Sequence, residues 1–174
     1  MFSLNIQNDA IFFKDIKLEH LPYILQWYNK VDDFKFATGI DTPMTLEMLT
    51  KKYAEVAICS NEFFVGIFDR CESKMIGILK GRLHYKEKDA VWISSLAIDS
   101  QYQRRGFGSS ALSLLLSYLK QKNMVKSVYL AVIEENIQGK SFWAKHNFQV
   151  LRKIEKHIKL HDRQQNAIIM YRHI

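Results

Sequence analysis

"DSQYQRRGFGSS", residues 99–110, stands between the apolar run "VWISSLAI" (91–98) and the apolar run "ALSLLLSYL" (111–119). Two glycines and two arginines thus fall where a strand-like segment gives way to a helix-like one. A strand, a glycine turn rich in backbone N–H groups and a helix N-terminus with partial positive charge together make an anion site. Diphosphate is the natural ligand. Gly106 and Gly108 let the backbone approach it closely, and the guanidinium groups of Arg104 and Arg105 can reach phosphates bidentately. Neither G-x-x-x-x-G-K-[ST] nor G-x-G-x-x-G occurs, so nucleotide hydrolysis and dinucleotide redox chemistry lose ground.

Working outward, "IFFKDI" (11–16) reads as a strand, and "LEHLPYILQWYNK" (18–30) repeats apolar residues at helical spacing through Leu18, Leu21, Ile24, Leu25 and Tyr28. "KVDDFKFATGIDTP" (30–43) has loop chemistry, after which Thr42, Pro43 or Thr45 starts a helix through "LEMLTKKYAEVA" (46–57). The runs 62–68, 74–85 and 90–98 read as strands joined by short polar turns, an antiparallel meander. Residues 106–123 are helical and apolar nearly all round, which suits burial against a sheet, with Asn123 as the stop. "SVYLAVI" (127–133) is a central strand, 136–147 a short helix with Asn136 as N-cap, and 166–174 a last strand. In 148–160, Phe148, Leu151, Ile154 and Ile158 have helical spacing, while the composition permits a strand.

With 174 residues, 48% of them hydrophobic, the chain can bury one substantial core, and it is read as one domain over 1–174. Residues 1–100 carry 12 Lys/Arg against 14 Asp/Glu and residues 101–174 carry 13 against 4, so the second half should attract a polyanion. The basic residues are scattered among apolar ones with no nucleic-acid-reading motif, which favours a compact multi-phosphate ligand over nucleic acid. No signal segment or membrane span is read, and the expected location is the cytoplasm. Cys59 and Cys71 match neither a disulfide framework nor a zinc site, so reduced, packed thiols and no metal are expected.

"QRRGFG" (103–108) resembles the Q/R-x-x-G-x-G/A signature of the GNAT superfamily of acyl-CoA-dependent N-acetyltransferases. "NIQGKSFWAKHNF" (136–148) resembles the family's N-x-x-A-x-x-x-Y-x-K-x-G-F ending at Asn136, Lys145 and Phe148, with Gly139 in the Ala place. The resemblance covers roughly residues 90–150 and implies that 148–160 is a strand. It also implies an α/β (α+β) fold: a mixed, mostly antiparallel sheet flanked by helices, with a cleft where strands 90–98 and 127–133 part.

By the same resemblance, acetyl-CoA is the co-substrate and a primary amine the acceptor. Gln103 begins the turn, and the backbone of Arg104, Arg105, Gly106, Phe107, Gly108 and Ser109 cradles the CoA diphosphate. The strand around Leu96, Ala97 and Ile98 pairs with pantetheine and offers an N–H to the thioester carbonyl as oxyanion donor. Asn136 hydrogen-bonds pantetheine, a role that competes with N-capping. The family's usual acid and base are missing: Trp143 stands in the Tyr place, and Trp92 and Ala131 stand where Glu is found. An indole N–H donates a hydrogen bond but is no acid near neutral pH. Leu96, Ser94 and Ser95 are therefore the catalytic candidates, with His84 and Tyr129 as further polar groups. In the segment 30–43, Asp32, Asp33, Phe34 and Phe36 are candidates for holding a cationic acceptor. The competing function is an acyl-CoA-binding sensor without turnover.

Overall fold

The computed structural model describes residues 1–83, 89–123, 125–160 and 163–174. Seven strands form one sheet: β1 (Ile11–Asp15), β2 (Glu62–Asp69), β3 (Met75–Leu83), β4 (Ala90–Ile98), β5 (Ser127–Ile133), β6 (Gln149–Leu160) and β7 (Arg163–His173). Their spatial order is β1-β2-β3-β4-β5-β7-β6. Every neighbouring pair is antiparallel except β4 and β5, which run parallel. The helices are α1 (Leu21–Tyr28), α2 (Val31–Thr38), α3 (Leu46–Ala57), α4 (Phe107–Gln121) and α5 (Ile137–Lys145).

Two apolar layers cover the sheet. On one face Ala111, Leu112, Leu115 and Leu119 of α4 pack against Val65, Ile67, Ile76, Val91 and Val128. On the other, Leu21, Ile24 and Trp27 of α1, Phe34 of α2 and Leu49 of α3 pack over Phe64, Ile78 and Ala97. Burying such side chains, at roughly 1.5–3 kcal/mol each, fixes the helices to opposite faces.

Three readings need correction. Residues 18–28 are a 3-10 turn, Leu18–His20, followed by α1, with Pro22 in its first turn and Leu18 exposed. The segment 30–43 is not a loop, since α2 occupies Val31–Thr38. Its acidic first turn, Asp32 and Asp33, suits a helix N-terminus, and Gly39 ends it in the left-handed region at φ 70°. Over 148–160, where spacing and composition left helix and strand open and the resemblance implied a strand, β6 is a strand, with register shifts between Val150 and Arg152 and between Ile154 and Ile158. Such bulges insert extra residues and break the two-residue alternation of a strand. Cys59 and Cys71 are free thiols, and Cys71 is exposed beside the β2–β3 turn rather than packed.

Candidate active site

The turn between β4 and α4 is held from both sides. Asp99 is buried; its Oδ2 accepts from the Trp27 indole N–H (2.9 Å) and its Oδ1 from the Gln101 backbone N–H (3.1 Å). The Gln103 amide donates to the Ile98 carbonyl at 2.8 Å. Beyond these anchors the backbone enters the left-handed region at Arg104 (φ 60°) and again at Gly106 (φ 86°). Gly106 is the N-cap of α4 and supplies no capping side chain. A 15-residue helix thus presents its first N–H groups without a side-chain partner, which is a site for an anion.

Above this turn lies a cleft of about 560 Å³. Gln103, Arg104, Gly106, Gly108 and Ser109 line its base. Arg105 and Phe107 lie outside the lining: the Arg105 guanidinium sits over the Tyr102 ring at 5.4 Å and the Phe107 ring at 5.6 Å. Of the two arginines read as phosphate ligands, only Arg104 borders the cleft.

The cleft walls are the two strands that run parallel. β4 pairs with β5 only from Ala90↔Ser127 to Ile93↔Leu130. Past that point Ser95–Ile98 and Ala131–Ile133 keep their outer partners, β3 and β7, and lose each other. A bulge contributes to the parting: Ser95 lies opposite Lys80 and Ile93 opposite Gly81, so Ser94 has no Cα partner. Two facing strand edges with unpaired backbone groups can accept an extended amide-bearing chain as a strand between them.

All three catalytic candidates, Ser94, Ser95 and Leu96, line the cleft. The buried Ser95 donates its hydroxyl hydrogen bond to the Ala37 carbonyl at 2.7 Å, fastening α2 to β4. Tyr129 stacks on Tyr171 at 6.1 Å, and His84 lies outside the described residues. Trp143 is buried against Phe148 and borders the cleft. Of the two roles expected to compete for Asn136, the structure shows the cap: its Oδ1 accepts from the Gly139 N–H at 2.8 Å, and the residue also lines the cleft. A Cβ on Gly139 would stand 2.4 Å from Asn136 Nδ2, so alanine there would require the Asn136 side chain to shift.

On the α2 side the acceptor candidates separate. Asp33, Phe34 and Phe36 border the cleft. Asp32 is 92% exposed and pairs with Lys35 at 3.1 Å, and that same ammonium lies over the Phe36 ring at 5.6 Å. Phe34 is 1% exposed and stacks on Trp27 at 6.1 Å, so it borders the cleft as part of the core. Asp33 is the sole carboxylate bordering the cleft among the described residues, and no ion pair engages it.

Sequence reasoning missed a polar contact at the cleft. Ser109 Oγ lies 2.9 Å from His146 Nε2 at the C-terminal end of α5. Burial pushes the His146 pKa below its usual value, assisted by the charges of Lys145 and Arg172, which favours the neutral ring. No local pattern reveals a contact across 37 positions. Asp99 was passed over as well, although its place directly before the turn is an Asx-type context that could have marked it. Among the described residues no helix is long and apolar enough to cross a membrane, and no group of three or more His, Cys, Asp or Glu is placed to hold a metal.

Comparison with known proteins places this geometry. A match to the acetyltransferase (GNAT) family spans residues 24–148. The spermine/spermidine N(1)-acetyltransferase of Bacillus subtilis (strain 168) is 32% identical over 59 residues, covering 34% of this chain and 39% of that protein. The chain thus spans about two-fifths of the length of the curated relatives it matches. The spermidine N-acetyltransferase of Vibrio cholerae, solved with CoA and spermine, superposes with a TM-score of 0.82 at 16% identity, over 95% of this chain and 96% of that one. An acetyltransferase of Salmonella typhimurium that modifies the N-terminal serine of ribosomal protein L7/L12 superposes with a TM-score of 0.82 at 16% identity, over 96% of each chain.

Proposed function

Because the chain belongs to the acetyltransferase (GNAT) family, we propose that it transfers an acetyl group from acetyl-CoA to a primary amine while both substrates are bound. The observation that carries this reading is the parting of β4 from β5 above the uncapped N-terminus of α4. The N–H groups of the turn and Arg104 hold the diphosphate, and the freed edges of Ser94–Ile98 and Ala131–Ile133 hold the pantetheine amides. An N–H of β4 near Leu96 stabilises the oxyanion as the amine nitrogen bonds to the thioester carbon and the C–S bond breaks. Trp143 borders the cleft in the place of the usual Tyr and can donate a hydrogen bond near the departing sulfur, while the proton reaches the thiolate from the amine or from water. Family membership favours turnover over an acyl-CoA sensor.

The acceptor in this reading is a small or peptidic amine with a second positive charge. Asp33 supports it as the carboxylate of the cleft wall, and so do relatives named for spermidine and spermine. The test is release of free CoA thiol from acetyl-CoA across a panel of spermidine, spermine, a peptide with N-terminal serine, and acidic amines. Polyamine-dependent release is expected. Binding of acetyl-CoA with no thiol released by any amine would establish the sensor instead, and preference for acidic amines would overturn the acceptor class.

A further inference from the structure

We propose that Lys80 is the general base, taking the proton that an acceptor ammonium must lose before its nitrogen can attack. Lys80 lies on β3 directly opposite Ser95, at the bulge where β4 begins to leave β5. It lines a second cavity of about 390 Å³, bordered by Glu55, Cys59, Glu62, Arg82, Trp92 and Ser94. Ser94 borders this cavity and the acyl cleft alike, so the two spaces adjoin at the residue where the strands part. Among the described residues the Lys80 amine forms no hydrogen bond or salt bridge, whereas its neighbour Arg82 is paired with the buried Glu62.

The charges around Lys80 come from three elements. Burial pushes its pKa below the usual lysine value; Lys52 of α3 and Arg82 of β3 act in the same direction, against Glu62 of β2 and Glu55 of α3. A lysine in such surroundings has a larger neutral fraction than the free acceptor amine, whose pKa is about 10. The step balances: the acceptor ammonium gives one proton to the Lys80 amine, and Lys80 as ammonium later returns it to solvent. After the amine attacks, the second N–H proton leaves with the thiolate as CoA thiol. The described lining of the cleft offers no lysine, histidine or glutamate, and its one carboxylate, Asp33, is assigned here to the second charge of the acceptor.

The inference rests on the acetyl-transfer reading, and its test separates the two. kcat/KM for spermidine is measured against pH for the parent, K80M and K80R, alongside acetyl-CoA affinity by calorimetry and the 15N shift of the Lys80 amine by NMR. Both variants are expected to lose about a hundredfold or more near neutral pH, to regain rate as hydroxide rises, and to bind acetyl-CoA within threefold of the parent. K80R keeps the charge and cannot release a proton there, so an active K80R would reduce Lys80 to a charge and overturn the proposal. So would a Lys80 titration at the ordinary lysine value, or acetylation of Lys80 itself when the parent meets acetyl-CoA alone. A parent that turns over no amine fails at the level of the transfer reading. A parent that turns over normally beside equally active variants fails at Lys80 alone.

Discussion

Replacing Gly108 by valine should abolish productive CoA binding while leaving the fold in place. A Cβ built on Gly108 meets Phe142 at 3.6 and 3.7 Å and Ile98 at 3.8 Å, ordinary van der Waals contacts, so the residue is not glycine for want of room within the protein. Its backbone does not require glycine either, since the left-handed positions of the turn are Arg104 and Gly106. What remains is the cleft that Gly108 lines, where a branched side chain stands between the ligand and the N–H groups at the start of α4. Each charge-assisted hydrogen bond lost is worth about 1.5–3 kcal/mol, and two of them lower affinity by about a hundredfold to ten-thousandfold. Helix propensity adds no cost, since valine lies up to about 0.7 kcal/mol below alanine and glycine about 1 kcal/mol below it, so the melting temperature should move by only a few degrees. Calorimetry with acetyl-CoA reads the first effect and thermal unfolding the second. A folded variant with unchanged affinity would refute the placement of the diphosphate.

Asp33→Asn should raise the acceptor KM about tenfold with acetyl-CoA affinity unchanged, whereas Asp32→Asn, already paired with Lys35, should change neither; steady-state kinetics with spermidine decide. Trp143→Phe should keep kcat within about tenfold, because an indole cannot deliver a proton, and a loss of a hundredfold or more in single-turnover assays would assign Trp143 a chemical role. The His146 pKa is depressed below its ordinary 6.5, so in the window from 6.5 downward the unfolded chain binds more protons and stability falls with falling pH. His20, also lowered mainly by burial, acts in the same direction. Melting curves between pH 7.5 and about 5 should therefore be shallower in pH dependence for His146→Gln than for the parent.

Much of the site was legible because it depends on backbone conformation, which glycine and strand boundaries announce locally. The turn at 103–108, the strand before it and the helix after it could be read from "VWISSLAIDSQYQRRGFG" without tertiary information. α2 carried the signals of a helix, an acidic first turn and Gly39 beyond its end, but eight residues give only two turns of periodicity to outweigh the loop-forming composition around them. The residue spacing left β6 undecided for a different reason. It is an edge strand with Leu151 53% exposed at a bulge, so neither alternation nor burial marks it, and the spacing that looked helical is an accident of inserted residues. The roles of side chains were least legible where they depend on contacts distant in the chain. Ser95 bonded to Ala37, Ser109 beside His146, and Lys80 across the sheet from the bulge are set by topology, and no nearby residue encodes them.

A crystal structure of the protein with CoA bound tests the central claim most directly. The account predicts diphosphate oxygens within hydrogen-bonding distance of the backbone N–H groups between Arg104 and Ser109, with pantetheine lying between Ser94–Ile98 and Ala131–Ile133 as a strand would. CoA bound elsewhere, with that gap between β4 and β5 left unfilled, would contradict it.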